Sequence, residues 1–177
     1  MLSEDVMQPK YKSMILSGLL LAIGLVLPFL TAQIKEIGDS LLPMHFPVLL
    51  CGFLAGPWYG LGIGLLLPFL RSFLFGMPPV YPNAVWMACE LATYGLVAGL
   101  LYRNSFEKKL WYLYFSLLTA MISGRIVWGV VKSVLLGLSG KAFTMEAFLV
   151  GGFIDAIPGI VLQLIFIPAI IKLTEKK

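Results

Sequence analysis

Five ionisable side chains interrupt the most apolar segments of this 177-residue chain, and they are Arg71, Glu90, Arg125, Lys132 and Asp155. A charge inside a membrane-length apolar segment is costly, so its default interpretation is a functional site. Guanidinium and ammonium groups near carboxylates either form ion pairs or bind an anionic ligand. The types and spacing of these residues therefore indicate binding chemistry within the apolar part of the chain.

Mutual pairing is the first interpretation of these charges. Arg71 can pair with Glu90, which lies on the next apolar segment, and Arg125 can pair with Asp155. Buried ion pairs of this kind occur without any ligand. This interpretation remains open for all four residues.

Ligand binding is the second interpretation, and Arg125 and Lys132 favour it. They lie seven residues apart, which places them on one helix face, with Trp128 half-way between them. The three basic and two acidic residues leave one positive charge over, which favours a ligand with a carboxylate or a phosphate. Lys132 can alternatively extend its ammonium group to the membrane interface.

Uncharged residues extend the candidate site. His45, the only histidine, is interpreted more readily as a loop residue with one structural bond than as a ligand contact. Asn83 and Gln163 offer neutral hydrogen bonds to a ligand. Trp86 and Tyr94 are candidates for stacking, although an aromatic residue in such a segment more often serves packing.

The composition predicts the elements that position these residues. Hydrophobic residues make up 59% of the chain and charged residues 12%, whereas an ordinary soluble domain has about 25% charged residues. The chain is therefore predicted to be an all-α integral membrane protein, since its apolar runs do not alternate as barrel strands do. One membrane domain over residues 1–177 is expected, with helices at about 13–31, 46–57, 58–76, 83–102, 110–138 and 146–172.

The basic residues predict the orientation of this six-helix bundle. With the N-terminus in the cytoplasm, only Lys35 and Lys141 among the basic residues of the connections and termini face outward. The cytoplasmic side then holds Lys10, Lys12, Arg103, Lys108, Lys109, Lys172, Lys176 and Lys177. This bias places both termini in the cytoplasm, and it attributes the net charge of +4 to topology and to contact with lipid rather than to nucleic-acid binding. The five intramembrane charges then lie in the middle and outer half of the membrane, which predicts a pocket open to the outside.

Motifs of common enzymes are absent from the sequence. The segment GLSGK at 137–141 lacks the spacing of a Walker A loop, and a single histidine excludes HExxH chemistry. Cys51 and Cys89 are interpreted as core residues. No enzymatic activity, catalytic residue, metal or cofactor is expected.

Three segments carry a resemblance to a known family: LPMHFPVLLCGFLAGPWYGLGIG, PFLRSFLFG and ELATYGLVAGLLY. In the first, Pro-Val-Leu is followed by glycines at every fourth position, namely Gly52, Gly56 and Gly60. With six short spans in fewer than 200 residues, the chain resembles the substrate-binding S-components of energy-coupling factor (ECF) transporters. The resemblance covers nearly the whole chain. It identifies the family but does not distinguish among the family's substrates.

The resemblance implies a mechanism in the bacterial cell membrane. An S-component captures a vitamin or vitamin precursor from outside, docks on a membrane coupling subunit driven by two cytoplasmic ATPases, and topples to release the ligand inside. The family docks through an A-x-x-x-A face on the first helix, which corresponds here to Gly18 and Ala22 in LSGLLLAIG. Packing within the bundle is the alternative role for these two small residues.

The surplus positive charge favours an acid such as pantothenate among the family's substrates. Pyridoxine, a hydroxymethylpyrimidine and riboflavin remain open, and thiamine is less suited. The competing class is a stand-alone facilitator or secondary transporter for small solutes. It requires a polar path through the inner half of the bundle, which the apolar segments LVAGLLY and IFIPAII do not offer.

Overall fold

The computed structural model describes residues 9–31, 40–103 and 109–175, and no strand occurs within these ranges. The α-helices are α1 (Pro9–Val26), α2 (His45–Leu54), α3 (Pro57–Phe75), α4 (Val85–Arg103), α5 (Leu110–Leu138), α6 (Met145–Leu149) and α7 (Ile157–Glu175). A 3₁₀ turn at Leu27–Thr31 follows α1, and π-helical turns at Val80–Ala84 and Val150–Ile154 precede α4 and follow α6. The predictions for Lys35, Lys108, Lys176, Lys177 and residues 33–39 of the first connection lie outside the described residues.

Within the described residues, five helical segments are long and apolar enough to cross a membrane, which agrees with the predicted all-α membrane protein. They are Lys10–Phe29, Pro57–Phe75, Val80–Arg103, Leu110–Leu138 and Ile157–Glu175. The predicted segment at 46–57 is instead the ten-residue helix α2, which rises only about 15 Å. Gly56, whose φ is 114°, lies in the connection after α2, and Pro57 is the first residue of α3. The predicted count of six spanning helices is therefore not confirmed, and neither is the side on which the termini lie.

The last predicted segment, 146–172, is broken rather than continuous. α6 and its π-helical turn end at Ile154, Asp155 and Ala156 form a turn, and α7 begins at Ile157. Pro158 accounts for the break, because a proline has no N–H to donate and its ring clashes with the preceding helical turn. At the second position of a new helix the same residue is well tolerated.

Helix α4 lies at the centre of the bundle and packs against α2, α3 and α5. Glycines make its closest approaches possible. A Cβ atom on Gly95 of α4 would lie 2.4 Å from the carbonyl carbon of Gly60 on α3, and one on Gly52 of α2 would lie 2.4 Å from the Gly95 carbonyl oxygen. Two of the three glycines on which the family resemblance rests, Gly52 and Gly60, thus make backbone-to-backbone contacts with α4, as is common between membrane helices.

The connections define the two ends of the bundle. A two-residue connection joins α2 to α3, so the longer α3 runs back beside α2 and past its start at His45, and α4 starts after a short loop beyond the end of α3. α7 starts at the same end, because its Gly159 abuts the backbone of Ser40 and Leu41 just before α2. We call this the His45 end. Below it, fully buried side chains of five helices form the core: Leu49, Leu67, Leu91, Leu117 and Ile167.

Helix α1 packs against α2 and α3 through one face only. Ser17, Leu20 and Gly24 are buried on that face, where a Cβ on Gly24 would lie 2.7 Å from Leu67. Gly18 and Ala22 are exposed on the other face, and the Cβ direction of Gly18 is open. The interpretation of these two small residues as packing within the bundle is therefore wrong.

Helix α3 offers a matched test of the glycine contact. Replacing Gly60 with Ala introduces a Cβ 2.7 Å from the Gly95 carbonyl oxygen, and such overpacking is expected to lower the free energy of unfolding by about 1–3 kcal/mol. Gly62→Ala on the same helix meets no atom within 4 Å, and it is expected to be neutral or stabilising by up to about 1 kcal/mol. Thermal unfolding of both variants in detergent measures the difference, and equal midpoints would contradict the packing described.

Candidate functional site

A buried cluster around the carboxylate of Glu90 joins three helices. On α4, Tyr94 donates its hydroxyl to Glu90 Oε1 at 3.2 Å. Arg125 of α5 brings Nη1 to the same oxygen at 2.8 Å, and His45, the first residue of α2, places Nε2 at 3.4 Å. As whole residues, Glu90, Arg125 and His45 are 2%, 4% and 3% exposed. Sequence reasoning placed His45 in a loop, whereas it starts a helix and belongs to the interior.

Local sequence explains how these groups meet. Glu90 and Tyr94 are four residues apart and so share one face of α4. Gly124 on α5 makes room for the tyrosine ring, since a Cβ there would lie 1.9 Å from its Cε1 atom. Arg125 follows this glycine directly and is thereby held at the same level as Glu90. The ring centroids of His45 and Tyr94 are 5.1 Å apart, which completes the packing around the carboxylate.

Several polar atoms of this interior have no hydrogen-bond partner among the described residues. They are Nε and Nη2 of Arg125, both ring nitrogens of His45, and both amide atoms of Gln163. The contact of His45 Nε2 with Glu90 Oε1 at 3.4 Å therefore lacks hydrogen-bond geometry. A buried polar group left without a partner costs about 1–3 kcal/mol, so three such side chains in one interior require an explanation.

Helix α7 contributes a further buried polar residue, Gln163. It is fully buried and belongs to a stripe at every fourth residue with Gly159, Ile167 and Ile171, all of which are buried. α7 packs against both α2 and α5. The predicted residues Arg125, Glu90, His45 and Gln163 are thus interior polar groups on four helices.

Lys132 and Trp128 lie on α5 beyond Arg125, towards the His45 end. The Lys132 ammonium nitrogen is 4.3 Å from the centre of the Trp128 ring, 5.0 Å from that of Phe143 and 5.3 Å from that of Trp86. Aromatic faces attract a cation at these distances. Phe143 was not singled out from the sequence, because nothing in its local pattern shows that the connection after α5 folds back over Trp128.

Arg71 has a separate environment. It is buried, donates from Nη1 to the Leu25 carbonyl at 2.6 Å, and places its guanidinium carbon 5.1 Å and 5.4 Å from the ring centres of Phe29 and Phe75. Carbonyls in the last turn of a helix have no intrahelical partner, so the Arg71 side chain caps the C-terminal end of α1. The Arg71–Glu90 pair considered from the sequence is wrong, because Glu90 pairs with Arg125.

Two other predicted residues lie apart from the cluster. Asp155 is exposed in the turn before α7, and no ion pair joins it to Arg125 in the part of the chain that the structure describes. The Arg125–Asp155 pair is therefore wrong as well. Asn83 is half-buried in the π-helical turn before α4.

An apolar groove of about 440 Å³ runs along the outer surface of α5. Ile126 and Val130 of α5 line it together with Phe143 and Phe148. Both phenylalanines also pack against Trp128, with ring centroids 5.8 Å and 6.1 Å away. This groove is therefore separate from the buried charges and lies on the other side of the aromatic side chains.

The fold and the site define a multi-pass membrane protein with a buried polar interior. Comparison with known families identifies the group to which it belongs: the profile described as "ECF transporter, substrate-specific component" matches residues 12–173. The chain therefore belongs to this family of transport subunits, which confirms the resemblance seen in the sequence and agrees with the expectation that it is not an enzyme. Searches of curated proteins and of solved structures return no match.

The Glu90–Arg125 pair gives a prediction for stability. Glu90→Leu leaves the Arg125 guanidinium buried without a counter-ion, and it is expected to lower the free energy of unfolding by about 3–5 kcal/mol. Adding Arg125→Met removes that charge and is expected to restore much of the loss. A double-mutant cycle from unfolding in detergent measures the coupling, and strictly additive losses would show that the two side chains do not interact.

Proposed function

We propose that this subunit captures a small organic anion at the guanidinium of Arg125. The proposal rests on one observation: some nitrogen atoms of that guanidinium have a partner within the protein and others do not. Nη1 is held by Glu90, while Nε and Nη2, which form the opposite edge, are buried without a partner among the described residues. Two parallel N–H groups in a plane match the two oxygens of a carboxylate or of a phosphate.

Neighbouring groups support an anionic ligand. Glu90 compensates one positive charge, and Lys132 on the same helix as Arg125 adds another within the aromatic surroundings of Trp128. Pantothenate is the best candidate among vitamin-like substrates, because it is an acid with further polar groups. Pyridoxine, a hydroxymethylpyrimidine and riboflavin fit the free guanidinium edge less well.

Transport through a coupling subunit and two cytoplasmic ATPases is part of the same proposal. Gly18 and Ala22 support it, because they form a small-residue strip on the exposed face of α1. A second helix can approach such a strip closely. In the proposed orientation in a bacterial membrane, the termini are cytoplasmic and the His45 end faces outward.

The alternative of a stand-alone facilitator receives less support. It needs a polar route from the Glu90 cluster to the opposite end of the bundle. The buried side chains described there include Ala98, Leu113, Leu117 and Ile171, and the buried hydroxyl of Ser116 donates to its own helix at the Tyr112 carbonyl. This packing favours a capture subunit that depends on partners for release.

Titration calorimetry with pantothenate in detergent tests the anion site. Arg125→Met is expected to weaken binding by roughly 100-fold, since it removes two charge-assisted hydrogen bonds. Arg125→Lys keeps the charge but loses the planar edge and is expected to fall between that variant and the wild type. Arg103→Met removes an exposed arginine at the end of α4 and serves as the control. Unchanged affinity in a folded Arg125→Met protein would refute the site.

Docking has a test of its own. Gly18→Leu fills the exposed strip on α1 and is expected to prevent co-purification with the coupling subunit and ATPases of the same organism, while ligand binding persists. Gly62→Leu on α3 is the matched control, because its Cβ direction is also open. Retained assembly of the Gly18→Leu variant would place the docking surface elsewhere.

A further inference from the structure

Arg71 carries a positive charge for which the described residues provide no counter-ion. It is 3% exposed, and its one acceptor in the described part of the chain is the Leu25 carbonyl oxygen, 2.6 Å from Nη1. The ion pairs described elsewhere join Glu90 to Arg125 and Glu175 to Lys172. A guanidinium has several N–H donors in one plane, so a single neutral acceptor leaves most of them, and the whole charge, uncompensated.

The remaining N–H groups of Arg71 are not enclosed by the protein. The enclosed side-chain atoms that lack a partner among the described residues belong to His45, Arg125 and Gln163. Nε and Nη2 of Arg71 also have no described acceptor, so the small exposed part of this residue includes them. The donors of Arg71 therefore reach the outer surface of the bundle, whereas those of Arg125 lie within it.

The surface around Arg71 is aromatic and apolar. Phe29 and Phe75, whose ring centres lie 5.1 Å and 5.4 Å from its guanidinium carbon, are both exposed. Val26 of α1 and Leu74 of α3 are exposed at the same end of these helices. Neither α1 nor α3 contains an acidic residue. The surroundings of the guanidinium thus fit hydrocarbon, while its charge requires an anion.

The position of Arg71 in α3 gives its level in a membrane. The segment Pro57–Phe75 is long and apolar enough to cross a membrane. Arg71 lies four residues before its end, which is about 6 Å along the helix axis. An arginine at that depth extends its side chain towards the headgroup region. Phosphate is the headgroup component that matches a guanidinium, because two parallel N–H groups meet two of its oxygens.

We propose that the phosphate group of a membrane phospholipid binds the exposed edge of Arg71, with the acyl chains against Phe29 and Phe75. The lipid provides the counter-charge that the described residues do not. Because Arg71 also holds the last turn of α1 through the Leu25 carbonyl, the bound headgroup joins the ends of α1 and α3. This site is separate from Arg125 and does not depend on the identity of the captured molecule.

Native mass spectrometry in detergent tests the lipid site with two lipids that share their acyl chains. Dioleoylphosphatidylglycerol carries the phosphate, and dioleoyl monogalactosylglycerol has a neutral sugar in its place. The wild-type protein is expected to bind the first molecule of the phospholipid about 10-fold more tightly than the galactolipid.

Two variants assign that preference to Arg71. Arg71→Gln keeps an N–H donor for the Leu25 carbonyl but removes the charge and the planar edge, and it is expected to reduce the preference to about 2-fold or less. Lys141→Met removes an exposed positive charge at the same end of the bundle, and this control is expected to keep the wild-type preference.

Three results would overturn the proposal. A wild-type preference that persists in Arg71→Gln would place the phospholipid elsewhere. An equal loss in Lys141→Met would show that the lipid responds to net charge alone. Loss of the preference on adding inorganic phosphate to the wild type, but not sodium chloride at equal ionic strength, would identify a free anion as the occupant.

Crosslinking decides if Arg71→Gln does not fold. Photoreactive p-benzoylphenylalanine in place of Phe75 lies beside the guanidinium, whereas in place of Phe73 it lies on the opposite side of α3, since two residues turn a helix by about 200°. In an equal mixture of the two lipids, crosslinks to the phospholipid are expected to exceed those to the galactolipid about 3-fold or more at position 75 and to equal them at position 73. The same ratio at both positions would contradict a site at Arg71.

Discussion

The carboxylate of Glu90 is the group on which the polar interior depends. A guanidinium buried between helices needs hydrogen-bond acceptors or a compensating charge, and Glu90 provides a carboxylate to Arg125 from the neighbouring helix. Tyr94 and His45 surround the same oxygen. Because one edge of the arginine is held by this pair, its other edge has a fixed direction. The ion pair therefore links the stability of the bundle to its capacity to bind.

Close helix packing is what brings that pair together. Gly60 and Gly95 let the backbones of α3 and α4 touch, and Gly124 lets the Tyr94 ring lie against α5. Each glycine in a helix interior costs about 1 kcal/mol relative to alanine, a loss offset by contacts that a larger residue would prevent. The glycines that carried the family resemblance thus act on the site indirectly, through the distance between helices.

The sequence indicated which polar residues are buried, but it did not indicate which of them contact one another. Charges in apolar segments indicated a polar interior, and Arg125, Glu90 and Gln163 are indeed buried there. Their pairing was not predictable, because membrane helices are apolar on every face and periodicity does not show which face turns inward. Asp155 lies in a turn because Pro158 breaks the last apolar segment. That break was readable from the sequence, whereas the fold-back of Phe143 over Trp128 depends on tertiary packing alone.

The shortness of α2 has a consequence for the path of a captured molecule. Its ten residues span about 15 Å, roughly half of the apolar thickness of a bilayer at about 30 Å. α2 ends where α3 begins, so His45 lies near the middle of the bundle's height rather than at its rim. A molecule that reached His45 from the end at which α4 starts would therefore have crossed about half of the hydrocarbon layer.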